Sequence, residues 1–192
     1  MDINALLGTL LSEESIAGLS QKTGASQDQI KDVMSNGLPN LLNGAKAQSD
    51  NGDTLDGFVG ALAQHAGVDT SNLSEFLENV DLEDGKKIVG HLLGGERDTA
   101  VQEISEKTGI TEKDTGNILS ATAPLLMSLL GQQTQQSQKE DENAGVSSLM
   151  GSLLGGVDLS SLLLGMLGGG SSSGKKKESL LGSLLGGLLG KK

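Results

Sequence analysis

The chain matches itself at an offset of 85 residues, and the match runs without a gap. Ile16 pairs with Val101, Leu19 with Ile104 and Ser20 with Ser105. Lys22-Thr23-Gly24 returns as Lys107-Thr108-Gly109, and Ser26 returns as Thr111. Val33 and Met34 pair with Ile118 and Leu119, Pro39 with Pro124, and Leu41-Leu42 with Leu126-Met127. A chain built this way must make the same local structure twice within one fold.

Each copy, at about 13–48 and about 98–133, reads as three short helices. Apolar residues three apart mark the first, at Ile16 and Leu19 or Val101 and Ile104. Gly24 and Gly109 stand where a left-handed residue ends a helix. Ser26-x-x-Gln29 and Thr111-x-x-Asp114 then resemble capping boxes. The second helix buries Ile30, Val33 and Met34, or Ile118 and Leu119. The third begins or bends near Pro39 or Pro124, because a first turn tolerates a missing backbone donor. Between the copies lie three more amphipathic stripes: Leu55, Phe58, Val59 and Leu62; then Leu73, Phe76 and Leu77; then Ile88, Val89, Leu92 and Leu93, closed by Gly94-Gly95. Alternating strand patterns are scarce. The expectation is an all-α compact bundle of seven to nine short helices with an internally duplicated three-helix unit.

Phe58 and Phe76 are the only aromatic residues, so the core must be Leu, Ile, Val, Met and Ala. The 29 glycines are expected at helix ends and close contacts, since each Gly inside a helix costs roughly 0.5–1 kcal/mol relative to Ala. There is no cysteine, which excludes disulfides and thiolate ligands and suits a reducing compartment. The start carries Asp2 in place of a basic region, so no secretory signal is expected, and no segment offers about 20 uninterrupted apolar residues. The net charge of −11 is uneven: residues 1–133 carry 20 acidic and 8 basic side chains, whereas from Gly145 onward the balance is +3. An acidic body repels nucleic acid and anionic lipid.

After the second copy the chain turns polar and rich in glutamine, and residues 134–146 read as a linker. Residues 147–192 form a Leu/Gly/Ser-rich C-terminal tail that repeats itself. Ser148-Leu149-Met150-Gly151-Ser152-Leu153-Leu154-Gly155-Gly156 recurs almost unchanged from Ser179 to Gly187, and a looser version spans Ser161 to Gly169. From Ser179 to Gly190 the period is four, close to the helical 3.6. Leu180, Leu184 and Leu188 would then make one stripe, and Gly182 and Gly186, with Gly190, a small-residue stripe that permits close approach. Such a helix is marginal alone in water and gains order by burying its leucines. The N-terminal segment has the same composition, with Leu6, Leu7 and Leu10 set among small residues.

No pattern for chemistry emerges. His65 and His91 are the only histidines, and neither H-x-x-H nor H-E-x-x-H occurs. His91, near Glu96 and Asp98, reads as a half-buried helix histidine with a ring nitrogen on a backbone acceptor. The acidic clusters at Glu75–Asp84 and Asp50–Asp53 lack the alternate-position oxygens of a calcium loop and read as solvated faces. No nucleophile elbow, phosphate loop or dinucleotide fingerprint appears. Each copy outlines helix-turn-helix, but its second helix begins without net positive charge, and Arg97 is the only arginine.

The Leu6-Leu7-Gly8 start, Lys22-Thr23-Gly24-x-Ser26 followed by Leu38-Pro39-x-Leu41-Leu42, the stretch Gly85 to Gly95 and the closing Ala123-Pro124-Leu125-Leu126-Met127 are together similar to the bacterial YidB-like family, domain of unknown function 937. The resemblance covers roughly residues 3–131. It implies a helical, soluble bacterial protein and supplies no activity or catalytic residues. The long tail lies outside it.

The function expected is a non-enzymatic helical interaction or scaffold protein that self-associates. Leu180, Leu184, Leu188, Gly182 and Gly186 of the tail and Leu6, Leu7 and Leu10 of the N-terminal segment are the contact residues. Its partner is itself or another protein; no cofactor, metal, nucleic acid or small-molecule substrate is expected, and the cytoplasm is its place. One alternative is a peripheral membrane protein, held at the membrane surface by a tail flanked by Lys175-Lys176-Lys177 and Lys191-Lys192. The other is an acidic regulator that acts on a nucleic-acid enzyme by protein contact.

Overall fold

Capping residues and glycine stops divide the chain into helices. In the computed structural model, which describes residues 3–140, 145–154 and 163, every regular element is helical. The helices are α1 (Ile3–Leu10), α2 (Glu13–Thr23), α3 (Gln27–Asp50), α4 (Gly52–Ala66), α5 (Leu73–Glu78), α6 (Leu82–Leu93), α7 (Arg97–Thr108), α8 (Glu112–Glu140) and α9 (Val146–Leu154); a 3-10 turn (Gly94–Glu96) joins α6 to α7.

Helices α2 and α7 end in the same turn, bond for bond. Gly24, at φ 77°, donates its N–H to Ser20 O over 2.9 Å; Gly109, at φ 70°, donates to Ser105 O over 2.8 Å. Both glycines sit in the left-handed region, where a Cβ would crowd the following carbonyl. The Ser20 hydroxyl donates to Ala25 O and the Ser105 hydroxyl to Ile110 O, each over 2.6 Å. The Thr23 and Thr108 hydroxyls reach back four residues, to Leu19 O and Ile104 O. The helix that follows is capped by Ser26 or Thr111, whose hydroxyl accepts from the N–H of Gln29 or Asp114.

The expected break at the prolines does not occur. Pro39 lies inside α3 and Pro124 inside α8, so each copy is two helices and not three. A proline removes the hydrogen bond to the carbonyl four residues back, here Ser35 O and Ser120 O. At both places the serine hydroxyl bonds back along the helix, to Lys31 O over 2.6 Å and Gly116 O over 2.7 Å. Ser120 O is also met by α6. An ideal Cβ on Gly85 would lie 1.8 Å from this oxygen, so a Gly85 Cα hydrogen points at the carbonyl that Pro124 leaves free. Packing around the proline keeps the helix going.

The bundle is organised around α8. Every residue from Ile118 to Gly131 is buried, as befits a helix apolar or small on all sides. Helices α4 and α6 lie along it. α2 packs on both α3 and α8, and α7 packs on both α8 and α3, so each copy's first helix touches both long helices. Glycines mark the tightest crossings: a Cβ on Gly131 would lie 2.3 Å from Leu62 O, and one on Gly44 2.3 Å from Leu92 O. The core is one cluster of Leu, Ile, Val, Met and Ala with Phe58, and it takes in Val146, Met150 and Leu163 from beyond the second copy. α8 runs on to Glu140, through the start of the stretch expected as a linker, and Thr134 within it is buried.

Candidate functional site

Among the surfaces of the described residues, three hold residues singled out from the sequence, and each is built from helix ends or helix faces already described. The first is an acidic cleft of about 430 Å³ between the end of α4, the turn after it, α5 and the start of α6. His65 Nε2 stands 4.0 Å from Asp84 Oδ2, too far for a hydrogen bond. Asp69, Glu75 and Asp81 also line it. The backbone N–H of Ser71, joined by its hydroxyl, holds the Asp69 carboxyl below its ordinary value. Among the described residues no three His, Asp or Glu side chains come together in a group that could hold a metal ion.

The second is an apolar groove of about 310 Å³. Phe58 and Ala61 of α4 form one wall, Ile88 and Leu92 of α6 the other, and Met127 of α8 the floor. These spacings of three and four put each wall on a single helix face. His91 stands on the rim. It is exposed, and its backbone carbonyl, not its ring, makes the local hydrogen bond, accepting from Gln48 Nε2 over 2.8 Å. That corrects the expectation of a half-buried ring bonded to the backbone: Leu92, its neighbour, takes the inward position.

The third surface is occupied. Helix α9 holds the first tail repeat and lies on α3. Val146 and Met150, four apart, are 4% and 1% exposed. The Ser147 hydroxyl donates to Ser49 O, near the end of α3. The tail therefore begins as a packed helix, Val146–Leu154, while the rest of the stretch expected as a low-complexity tail, Leu163 apart, lies outside the described residues. Among residues 148–151 of this repeat Met150 is buried and Leu149 half-buried. Their counterparts in the last repeat are Leu181 and Leu180.

The contact residues expected from sequence separate into two groups. Leu6, Leu7 and Leu10 are 1%, 0% and 0% exposed and belong to the core of their own molecule, where α1 packs on α2 and α8. They are not offered to a second chain in this fold. Leu180, Leu184, Leu188, Gly182 and Gly186 lie outside the described residues. The helix-turn-helix outline also resolves into packing. α8, which would be the reading helix of the second copy, is the buried centre of the bundle.

Sequence reasoning missed the α4–α6 groove, because its two walls come from different amphipathic stripes and meet only over α8. One overlooked signal concerns the helices that precede each copy. Leu6-Leu7-Gly8-Thr9-Leu10-Leu11 aligns with Ile88-Val89-Gly90-His91-Leu92-Leu93 at an offset of 82, so α1 and α6 share a pattern. Among the described residues no helix is long and apolar enough to cross a membrane.

A family model described as "Bacterial protein of unknown function (DUF937)" matches residues 5–133. No curated protein and no solved structure matches the chain.

Proposed function

The chain belongs to the DUF937 family of bacterial proteins of unknown function, and from that premise we propose that it is a non-enzymatic interaction protein whose body seats Leu-rich, small-residue helices. It takes its own tail first, and the tail of a second copy by exchange. In this reading the protein works in the cytoplasm. The observation that carries it is α9 on α3, where a helix of this composition buries Val146 and Met150 on the body. An isolated nine-residue helix of this kind is marginal in water and depends on that contact. The seat is specific in register as well as apolar, since Ser147 bonds to the Ser49 carbonyl at one end. Exchange needs no new contacts, only the same seat filled from another molecule.

Light scattering on the full chain and on a chain ending at residue 144 tests this. The full chain should gain mass as concentration rises, and the shortened one should stay monomeric and bind a labelled 145–192 peptide saturably. A monomer at every concentration in both cases, together with no peptide binding, would sink the reading.

A further inference from the structure

We infer that the groove between α4 and α6 is a second helix seat, filled by residues Ser179–Gly190 of the same molecule. This rests on the helix-seating reading above, and it assigns both a place and an occupant. The groove is apolar where it is deep, with Phe58 6%, Ile88 8%, Leu92 5% and Met127 2% exposed. At about 310 Å³ it has room for side chains but not for a whole helix. That is the geometry of a hole awaiting knobs from a helix laid along its rim.

Four observations select the occupant. First, Ser179–Gly187 repeats the seated segment Ser148–Gly156 with one change, Leu181 for Met150. A counterpart of the buried Met150 is thus available again, and in a helix Leu181, Leu185 and Leu189 would share one face at spacings of four. Second, the two seats adjoin: Gln48 lines the groove, and its neighbour Ser49 accepts the bond from α9. Third, the tether is short. Fifteen residues separate Leu163, which is buried in the same core cluster, from Ser179. A segment of that length reaches at most roughly 50 Å, and tethering over such a length gives an effective concentration on the order of millimolar. Fourth, the charges complement one another. The segment is flanked by Lys175-Lys176-Lys177 and Lys191-Lys192, and the rim carries Asp53 with Asp56 exposed one turn on.

Gly57 supplies the variant. It lines the rim, and a Cβ there meets nothing within 4 Å, so Gly57→Arg leaves the core undisturbed while capping the groove with bulk and a repelling charge. Amide hydrogen exchange on the full-length chain reads both seats in one sample. Residues 179–190 should exchange about tenfold more slowly than in a free 175–192 peptide. In Gly57→Arg that protection should vanish while 145–154 keeps its own. Protection at 145–154 with none at 179–190 overturns the second seat and leaves the α9 reading standing. Free-peptide exchange at 145–154 overturns the reading on which it rests. Equal protection of 179–190 in both proteins overturns the groove as its location, and protection that rises with protein concentration overturns the intramolecular assignment in favour of a second copy.

Discussion

Helices α2 and α7 end in identical turns but live in different surroundings. α5 covers α2 and is held at both ends: Glu14 Oε1 accepts from Leu73 N over 3.1 Å, and Lys22 Nζ donates to Glu78 O over 3.0 Å. An acid at the first turn of α5 and a base at its last suit the helix dipole. Gly18 lets the two helices close, since a Cβ there would lie 3.0 Å from Leu77 Cδ1 and 3.3 Å from Ser74 Cα. At the same positions α7 has Thr99 for Glu14 and Glu103 for Gly18. Among the described residues nothing covers that face, and Thr99, Ala100 and Glu103 line an open groove of about 710 Å³. A turn depends on the half-dozen residues within it, whereas coverage depends on every residue that faces outward, and those differ between the copies.

The comparison breaks most visibly if the second copy's residue is put into the first. Gly18→Glu would drive a carboxylate into the α2–α5 contact and should cost about 3 kcal/mol or more in urea unfolding. The reverse change, Glu103→Gly on exposed α7, should cost only about 1 kcal/mol through helix propensity. Equal effects would mean that the coverage difference carries no energy. The turn itself tests the likeness. Gly24→Ala and Gly109→Ala should each cost about 1–2 kcal/mol, because both residues stand at positive φ with open space around them. Values that differ by more than about 1 kcal/mol would show that the two turns are alike only in outline. The smallest effect sharpens the picture. Ser26→Ala and Thr111→Ala should each lose about 1 kcal/mol as helix caps. Gln29→Ala should lose a few tenths more than Asp114→Ala, with the difference on the order of 0.5 kcal/mol, because Gln29 Oε1 accepts from Ser26 N while Asp114 bonds to the Thr111 hydroxyl instead.

Much of this was legible from residues near one another in the chain. The glycine stops, the Ser26 and Thr111 caps and the stripes of α4, α5 and α6 all follow from short-range rules, since their causes lie within a turn or two. The candidate seats were legible only in part. The tail's composition pointed to helix contact, but its register did not, because leucines at Leu149, Leu153 and Leu154 offer two competing faces and only docking chooses between them. The α4–α6 groove left no mark on any single stretch.

What the sequence by itself determined is where helices begin and stop at polar caps and glycines, and that the regular elements among the described residues are helices, with the same turn made twice. What only the tertiary structure decided is that α3 and α8 run through Pro39 and Pro124, that α8 is the centre, that Leu6, Leu7 and Leu10 are core, and that Gly85, Gly44 and Gly131 are crossing points. The reason is one of range. A cap or a left-handed glycine is satisfied by its own neighbours, but a carbonyl freed by proline, or a leucine with no covering surface, is satisfied only by what another part of the chain brings to it.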